Sequence, residues 1–255
     1  TSDDKAGVIA HVAAIRALGE DLAVGLRCFV EGEEEIGSPS FASFLTQHHE
    51  ELSADVIIVL DSSNWKVGVP ALTTSLRGLV EAQVTVRVLD HALHSGMFGG
   101  PILDAPTLMC RLISTLHDDA GDVAVAGLSS YEAAPVDYPD EDFRRDAGVL
   151  PSVTLAGSGT LPSRLWTKPA ISVVGMDVTS VAGRSNTIAP ACTAALSLRI
   201  APGQDPEAAY QSLRDHLIAN APFGAEVTVT MGELGPAYQA EDTAVTELAH
   251  RSLTD

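Results

Sequence analysis

Aromatic side chains are scarce: Phe, Tyr and Trp make up 5% of the chain. A core must therefore be built from Ala, Val, Leu and Ile, and a hydrophobic content of 45% supplies it. Basic residues are few as well. Fifteen Lys and Arg stand against 34 Asp and Glu, a formal charge of −19. Such a chain repels polyanions, which excludes nucleic acid and anionic membrane surfaces as partners. Cysteine occurs three times, at Cys28, Cys110 and Cys192, scattered and in apolar sequence surroundings. That usage excludes a disulfide framework and predicts core packing in a reducing compartment, the cytoplasm. No apolar run is long enough to span a bilayer, and no stretch reads as a signal peptide. An initiating Met is missing too: the chain opens mid-motif on Thr1-Ser2-Asp3-Asp4-Lys5 and closes inside a helical pattern, so a segment of a longer protein is expected.

What is abundant is acid, and it is concentrated. Glu31, Glu33, Glu34 and Glu35 crowd into five residues between the apolar run 24–30 and the helix-start signal Ser38-Pro39-Ser40. Residues 6–18 carry Val8, Ile9, Val12, Ile15 and Leu18 on one helical stripe, with Gly19 as the stop and Ser2 or Asp3 as N-cap. Residues 24–30 read as a strand, 40–52 as a helix, and 55–61 as a parallel strand buried on both faces. This α-β-α-β alternation predicts a doubly covered sheet. Ligands of such sheets bind beyond the carboxyl ends of the strands. Asp3, Glu33 to Glu35 and Asp61 would all leave that rim.

The pattern then changes. Residues 79–88 alternate strictly, as a strand with one wet face does. Helices are predicted at 105–117 and from Asp205-Pro206 to about 220, and strands at 170–176, 193–200 and 225–231. The order β-α-β-β-α-β is the split, ferredoxin-like arrangement. It predicts a second domain, 75–240, inserted into an α/β domain of residues 1–74 and 241–255. The span 118–168, rich in Asp, Pro, Gly and Ser, reads as loops with one short helix.

Carboxylates from several loops suit a hard or borderline cation. Adjacent glutamates allow one to bind metal while its neighbour works as a base toward a water that the metal acidifies.

Four motifs in order, Ser2-Asp3-Asp4-Lys5, Glu31 to Ser38, Val59-Leu60-Asp61 and Leu93-His94-Ser95-Gly96-Met97-Phe98-Gly99-Gly100, resemble the carnosinase and dipeptidase branch of the co-catalytic zinc metallopeptidases. That M20-like family includes glutamate carboxypeptidase, acetylornithine deacetylase and succinyl-diaminopimelate desuccinylase. The resemblance implies a partial zinc-peptidase-type parallel or mixed sheet with an inserted ferredoxin-like α+β lid and dimerisation domain. It also implies two Zn2+ per site in the full-length protein, with Mn2+ or Co2+ as alternatives. Asp3 resembles the bridging metal ligand, and Glu35 and Asp61 the terminal ligands. Glu34 resembles the general base and acid. Glu33 has no family role and reads as a solvated charge or one standing behind the ligands. His94 resembles the residue that reaches the partner subunit's active site and stabilises the oxyanion, which implies a homodimer formed through the lid. Arg199, in Ser197 to Pro202, resembles the arginine that holds the substrate's terminal carboxylate. Thr187, in Asn186 to Pro190, resembles a substrate contact. His91 stays structural.

The chain departs from the family at Ala6, where Gly is usual, and at Asp104, the residue nearest to an expected Asn. The upstream His-x-Asp motif and a downstream His are missing from these residues. Each metal would lack its imidazole, so the segment is expected to bind metal weakly or not at all and to be inactive. The implied activity is hydrolysis of amide bonds in small substrates, dipeptidase or carboxypeptidase-like. An N-acyl amino acid deacylase and a non-catalytic lid and dimerisation fragment are the competing readings.

Overall fold

The structure is a computed structural model that describes residues 4–62, 64–133 and 136–254. The chain divides into two compact units: 1–73 with 242–255, and 74–241.

The first unit holds α1 (Lys5–Leu18), α2 (Phe41–Gln47), α3 (His49–Leu52) and the last helix, α8 (Ala244–Thr254). The N-cap of α1 is Asp4, whose Oδ1 accepts from the Gly7 N–H at 3.0 Å. This replaces the expected Ser2 or Asp3, both of which lie outside the described residues. Gly19, at φ 51°, ends the helix. The single helix expected over 40–52 breaks at His48 into α2 and α3.

Residues 24–30 and 55–61 form no strand, contrary to expectation. Their composition suits a buried strand, but a strand exists through its partner, and no ladder among the described residues includes either run. Their side chains are accordingly open: Val24, Ile57 and Val59 are 65%, 79% and 74% exposed. The α1 stripe is also exposed at Val8, Ile9, Ile15 and Leu18. Gly7 is the one residue of this unit that is buried among the described residues.

The second unit contains β1 (Ser75–Leu76), β2 (Gly78–Arg87), β3 (Leu93–His94), α4 (Ser95–Phe98), α5 (Ala105–Ser114), α6 (Asp140–Asp146), β4 (Ala170–Met176), β5 (Thr187–Ile188), β6 (Ala191–Ile200), α7 (Pro206–Ala219), β7 (Glu226–Gly235) and β8 (Tyr238–Gln239). Four strands form an antiparallel sheet in the order β4-β6-β2-β7. With α5 and α7 as crossovers, this is the ferredoxin-like arrangement.

Strand alternation builds the core. Val80, Ala82, Val84 and Val86 of β2 and Cys192, Ala194, Leu196, Leu198 and Ile200 of β6 point to one face. There they meet Leu108, Met109 and Leu112 of α5 and Leu213 and Leu217 of α7. Asp104 and Asp205 cap these helices by accepting from Thr107 N at 2.9 Å and Ala208 N at 2.8 Å. Of the cysteines, only Cys192 is in the core. Cys28 and Cys110 are exposed, because Cys28 falls on the unpaired 24–30 run and Cys110 on the outer face of α5.

The excursion 118–168 contains α6 and one π-type turn, Ser163–Thr167. Polar contacts bind it to itself and to the sheet. The Ser163 hydroxyl donates to Glu132 at 2.6 Å, the Tyr131 hydroxyl donates to the Pro202 carbonyl at 3.2 Å, and the Ser158 N–H donates to both Asp122 oxygens. Those bonds from Ser158, with Lys168 and Arg164 nearby, hold the Asp122 carboxyl below the usual carboxylate range.

Candidate active site

The expected site residues fall in both units. In the first, Glu34 to Ile36 form a 3-10 turn closed by Gly37 at φ 82°, whose N–H donates to the Glu34 carbonyl. The turn projects Glu34 and Glu35 to the surface. Glu33 ties this turn to the next helix. Its carboxylate accepts from the Ser40 N–H at 3.0 Å, at the start of α2. An acid placed there satisfies an orphan helix donor and favours the positive end of the helix dipole. The sequence reading of Glu33 as a solvated or supporting charge missed this cap, although an acid seven residues ahead of a helix-start serine was the available signal.

Asp61 is exposed beyond the 55–60 run, and Asp3 lies outside the described residues. Among the described residues, no three His, Cys, Asp or Glu side chains stand close enough to hold a metal ion. The donor chemistry of Glu35 and Asp61 still suits a divalent cation. One oxygen of Glu31 is buried with no hydrogen-bond partner, an orphaned acceptor next to the acidic turn.

In the second unit, β3 and β5 make a short antiparallel bridge that sets His94 opposite Thr187 and Leu93 opposite Ile188. Two residues 93 positions apart in sequence thus become neighbours. His94 also N-caps α4: its Nδ1 accepts from the Gly96 N–H at 3.1 Å. A backbone N–H can only donate, so in the neutral ring the proton sits on Nε2. The donor edge of His94 is therefore the one turned away from the backbone. Gly96 permits this, since a Cβ there would come within 2.9 Å of the imidazole Cε1. The Thr187 hydroxyl shares a hydrogen bond of 2.7 Å with Ser185.

Arg199 stands on β6 on the face opposite the core and is exposed. Its neighbour is Arg77, which sequence reasoning passed over. Burial, and then the like charge of Arg199, pull the Arg77 guanidinium below its ordinary pKa.

The His94 bridge and Arg199 are at opposite ends of the sheet. β3 and β5 adjoin the end where Arg87 pairs with Ala191, and Arg199 pairs with Leu79 at the other end. Arg199 is eight residue steps along β6 from Ala191, roughly 26 Å at about 3.3 Å a step.

A family model, the M20 peptidase dimerisation domain, matches residues 74–225, more than half of the chain. The chain belongs to the M20 peptidase family. Among M20 relatives, the cysteinylglycine-S-conjugate dipeptidase of Corynebacterium striatum is 34% identical over 248 residues, covering 94% of this chain and 54% of that protein. The Cys-Gly metallodipeptidase dug1 of Schizosaccharomyces pombe is 29% identical over 232 residues, covering 85% and 48%. The crystal structure of human carnosine dipeptidase 1 superposes with a TM-score of 0.76 at 25% identity, covering 98% of this chain and 57% of that one. The chain spans about half the length of the curated M20 relatives it matches. No helix among the described residues is long and apolar enough to cross a membrane.

Proposed function

We propose that the full-length protein is a metal-dependent dipeptidase whose active site is completed by a second copy of the chain. The reading rests on the separation of the His94–Thr187 bridge from Arg199 along β6. A dipeptide spans only about 7 Å, so one molecule of substrate does not reach both ends of one sheet. Two copies paired through an M20 dimerisation domain would let His94 and Thr187 of one protomer serve the site of its partner. The relatives named as metallodipeptidases and Cys-Gly or carnosine dipeptidases support this substrate class.

In this mechanism Glu35 and Asp61, with Asp3, would hold the metal, taken as a pair of zinc ions. When bound, it supplies Lewis acidity. Glu34 takes the proton from the attacking water and delivers it to the leaving amine. His94 donates through Nε2–H to the developing oxyanion, where a fixed donor counts most. Arg199 grips the substrate carboxylate through two parallel hydrogen bonds, and Thr187 contacts the substrate backbone.

The test is a panel of Cys-Gly, β-Ala-His and N-acyl amino acids assayed on the full-length protein after loading with zinc, manganese or cobalt. Hydrolysis of the dipeptides, abolished by Glu34→Gln with metal content unchanged, is the expected result. Preferential cleavage of N-acyl amino acids would replace this reading with a deacylase. No turnover of any member would reject hydrolysis.

A further inference from the structure

At the Gly78 end of the sheet two cations sit together, with no counter-ion among the described residues. Leu79 pairs with Arg199, and Arg77 is two residues earlier, between β1 and β2, close enough to Arg199 to feel its like charge. Arg77 is half-buried, and among the described residues the guanidinium of neither Arg77 nor Arg199 makes a hydrogen bond or an ion pair. The acids nearest in register do not neutralise them. Glu81 pairs with Ser197 on this face, and Glu233 lies on β7 beside it, yet neither forms an ion pair with either arginine.

A guanidinium withdrawn from water without a partner is costly, and a like charge beside it adds to the cost. The backbone gives Arg77 little room to escape. Leu76 is tied to Tyr238 in the β1–β8 ladder, and β2 is paired on both edges. Gly78 itself is wedged: a Cβ there would come within 2.8 Å of Ala237 N, the Gly235 carbonyl and Ile200 Cγ1. The arrangement leaves two guanidinium groups near each other with donors that an anion would satisfy.

We propose that Arg77 and Arg199 together bind one carboxylate of the substrate, Arg77 being a second specificity-determining guanidinium for the reaction. The proposal rests on the dipeptidase reading for the identity of the ligand. A carboxylate accepts bidentate bonds from planar guanidinium groups. Its charge relieves the repulsion between the two arginines, so affinity depends on both at once.

Two measurements on the full-length protein test this. In calorimetry, N-acetylglycine should bind and N-acetylglycinamide should not. Arg77→Met and Arg199→Met should each weaken N-acetylglycine binding tenfold or more, and the double variant should be little worse than either alone. In kinetics, Arg77→Met should raise KM for Cys-Gly at least tenfold with kcat nearly unchanged, and leave KM for its C-terminal amide as it was. Arg77→Lys, with an unchanged melting temperature, guards against misfolding and should recover part of the loss. Equal effects on acid and amide, or unchanged N-acetylglycine binding in Arg77→Met, would overturn the pair. Wild-type protein that binds N-acetylglycine through both arginines but hydrolyses no dipeptide would retain the site and reject the dipeptidase reading instead.

Discussion

His94 and Thr187 face each other across a two-residue antiparallel bridge, and the imidazole is held by a bond from the Gly96 N–H to Nδ1. The ring therefore depends on Gly96 having no side chain. Gly96→Ala should displace the imidazole while leaving the core untouched. The expected outcome is a fall in kcat of about 10²–10³, the range for loss of one oxyanion donor, with no change in melting temperature. Steady-state kinetics beside a thermal melt check both halves.

If His94 serves the neighbouring protomer, complementation follows. Glu34→Gln and His94→Ala protomers, each inactive alone, should regain activity when co-expressed. Each mixed dimer contains one site with an intact Glu34 and an intact His94 from its partner. Random pairing makes half the dimers mixed, so about a quarter of wild-type activity is expected. Complete silence of purified mixed dimers would mean that both residues act within one chain.

The sheet face packed on α5 and α7 sets the stability of the second unit. Leu198 is fully buried there. Leu198→Ala should cost about 2–5 kcal/mol, the usual range for a large-to-small change that leaves a cavity. Urea unfolding followed by circular dichroism measures it, and a change under about 1 kcal/mol would mean that the core relaxes around the gap.

Asp122 carries a pH dependence of known sign. Hydrogen bonds from Ser158, chiefly, hold its carboxyl below the ordinary value of 3.8 in the folded chain. The unfolded chain therefore binds the proton first as pH falls. The stabilisation is present in full above pH 3.8 and disappears as pH drops below it through the folded value. Asp122→Asn should flatten that part of the stability profile. Melting temperatures between about pH 5 and pH 2.5 for both proteins supply the comparison, and parallel curves would assign the effect to other groups.

The second unit was legible because its signals are local. Strict alternation over 79–88 and the caps Asp104 and Asp205 specify strands and helices from nearest neighbours alone, and the β-α-β-β-α-β order then leaves one antiparallel sheet. The runs 24–30 and 55–61 misled for the opposite reason. Val56 to Leu60 suit a parallel strand, but parallel pairing depends on chain far away in sequence, and composition says nothing about whether that partner is at hand. His94 and Thr187 were found separately through their motifs, while their pairing required the bridge. Arg77 carried no sequence signal, since its significance lies in having no ion-pair partner among the described residues, which is a property of space.

The length of β2 and β6 acts as a caliper. Nine paired positions run from the arginine end to the histidine end, from Leu79 opposite Arg199 to Arg87 opposite Ala191. Inserting one pleat, two residues in each strand, would open that gap by about 7 Å and preserve which side chains face the helices. The two ends of the sheet could be moved apart this way, through the frame alone, with Arg199, Thr187 and His94 themselves left as they are.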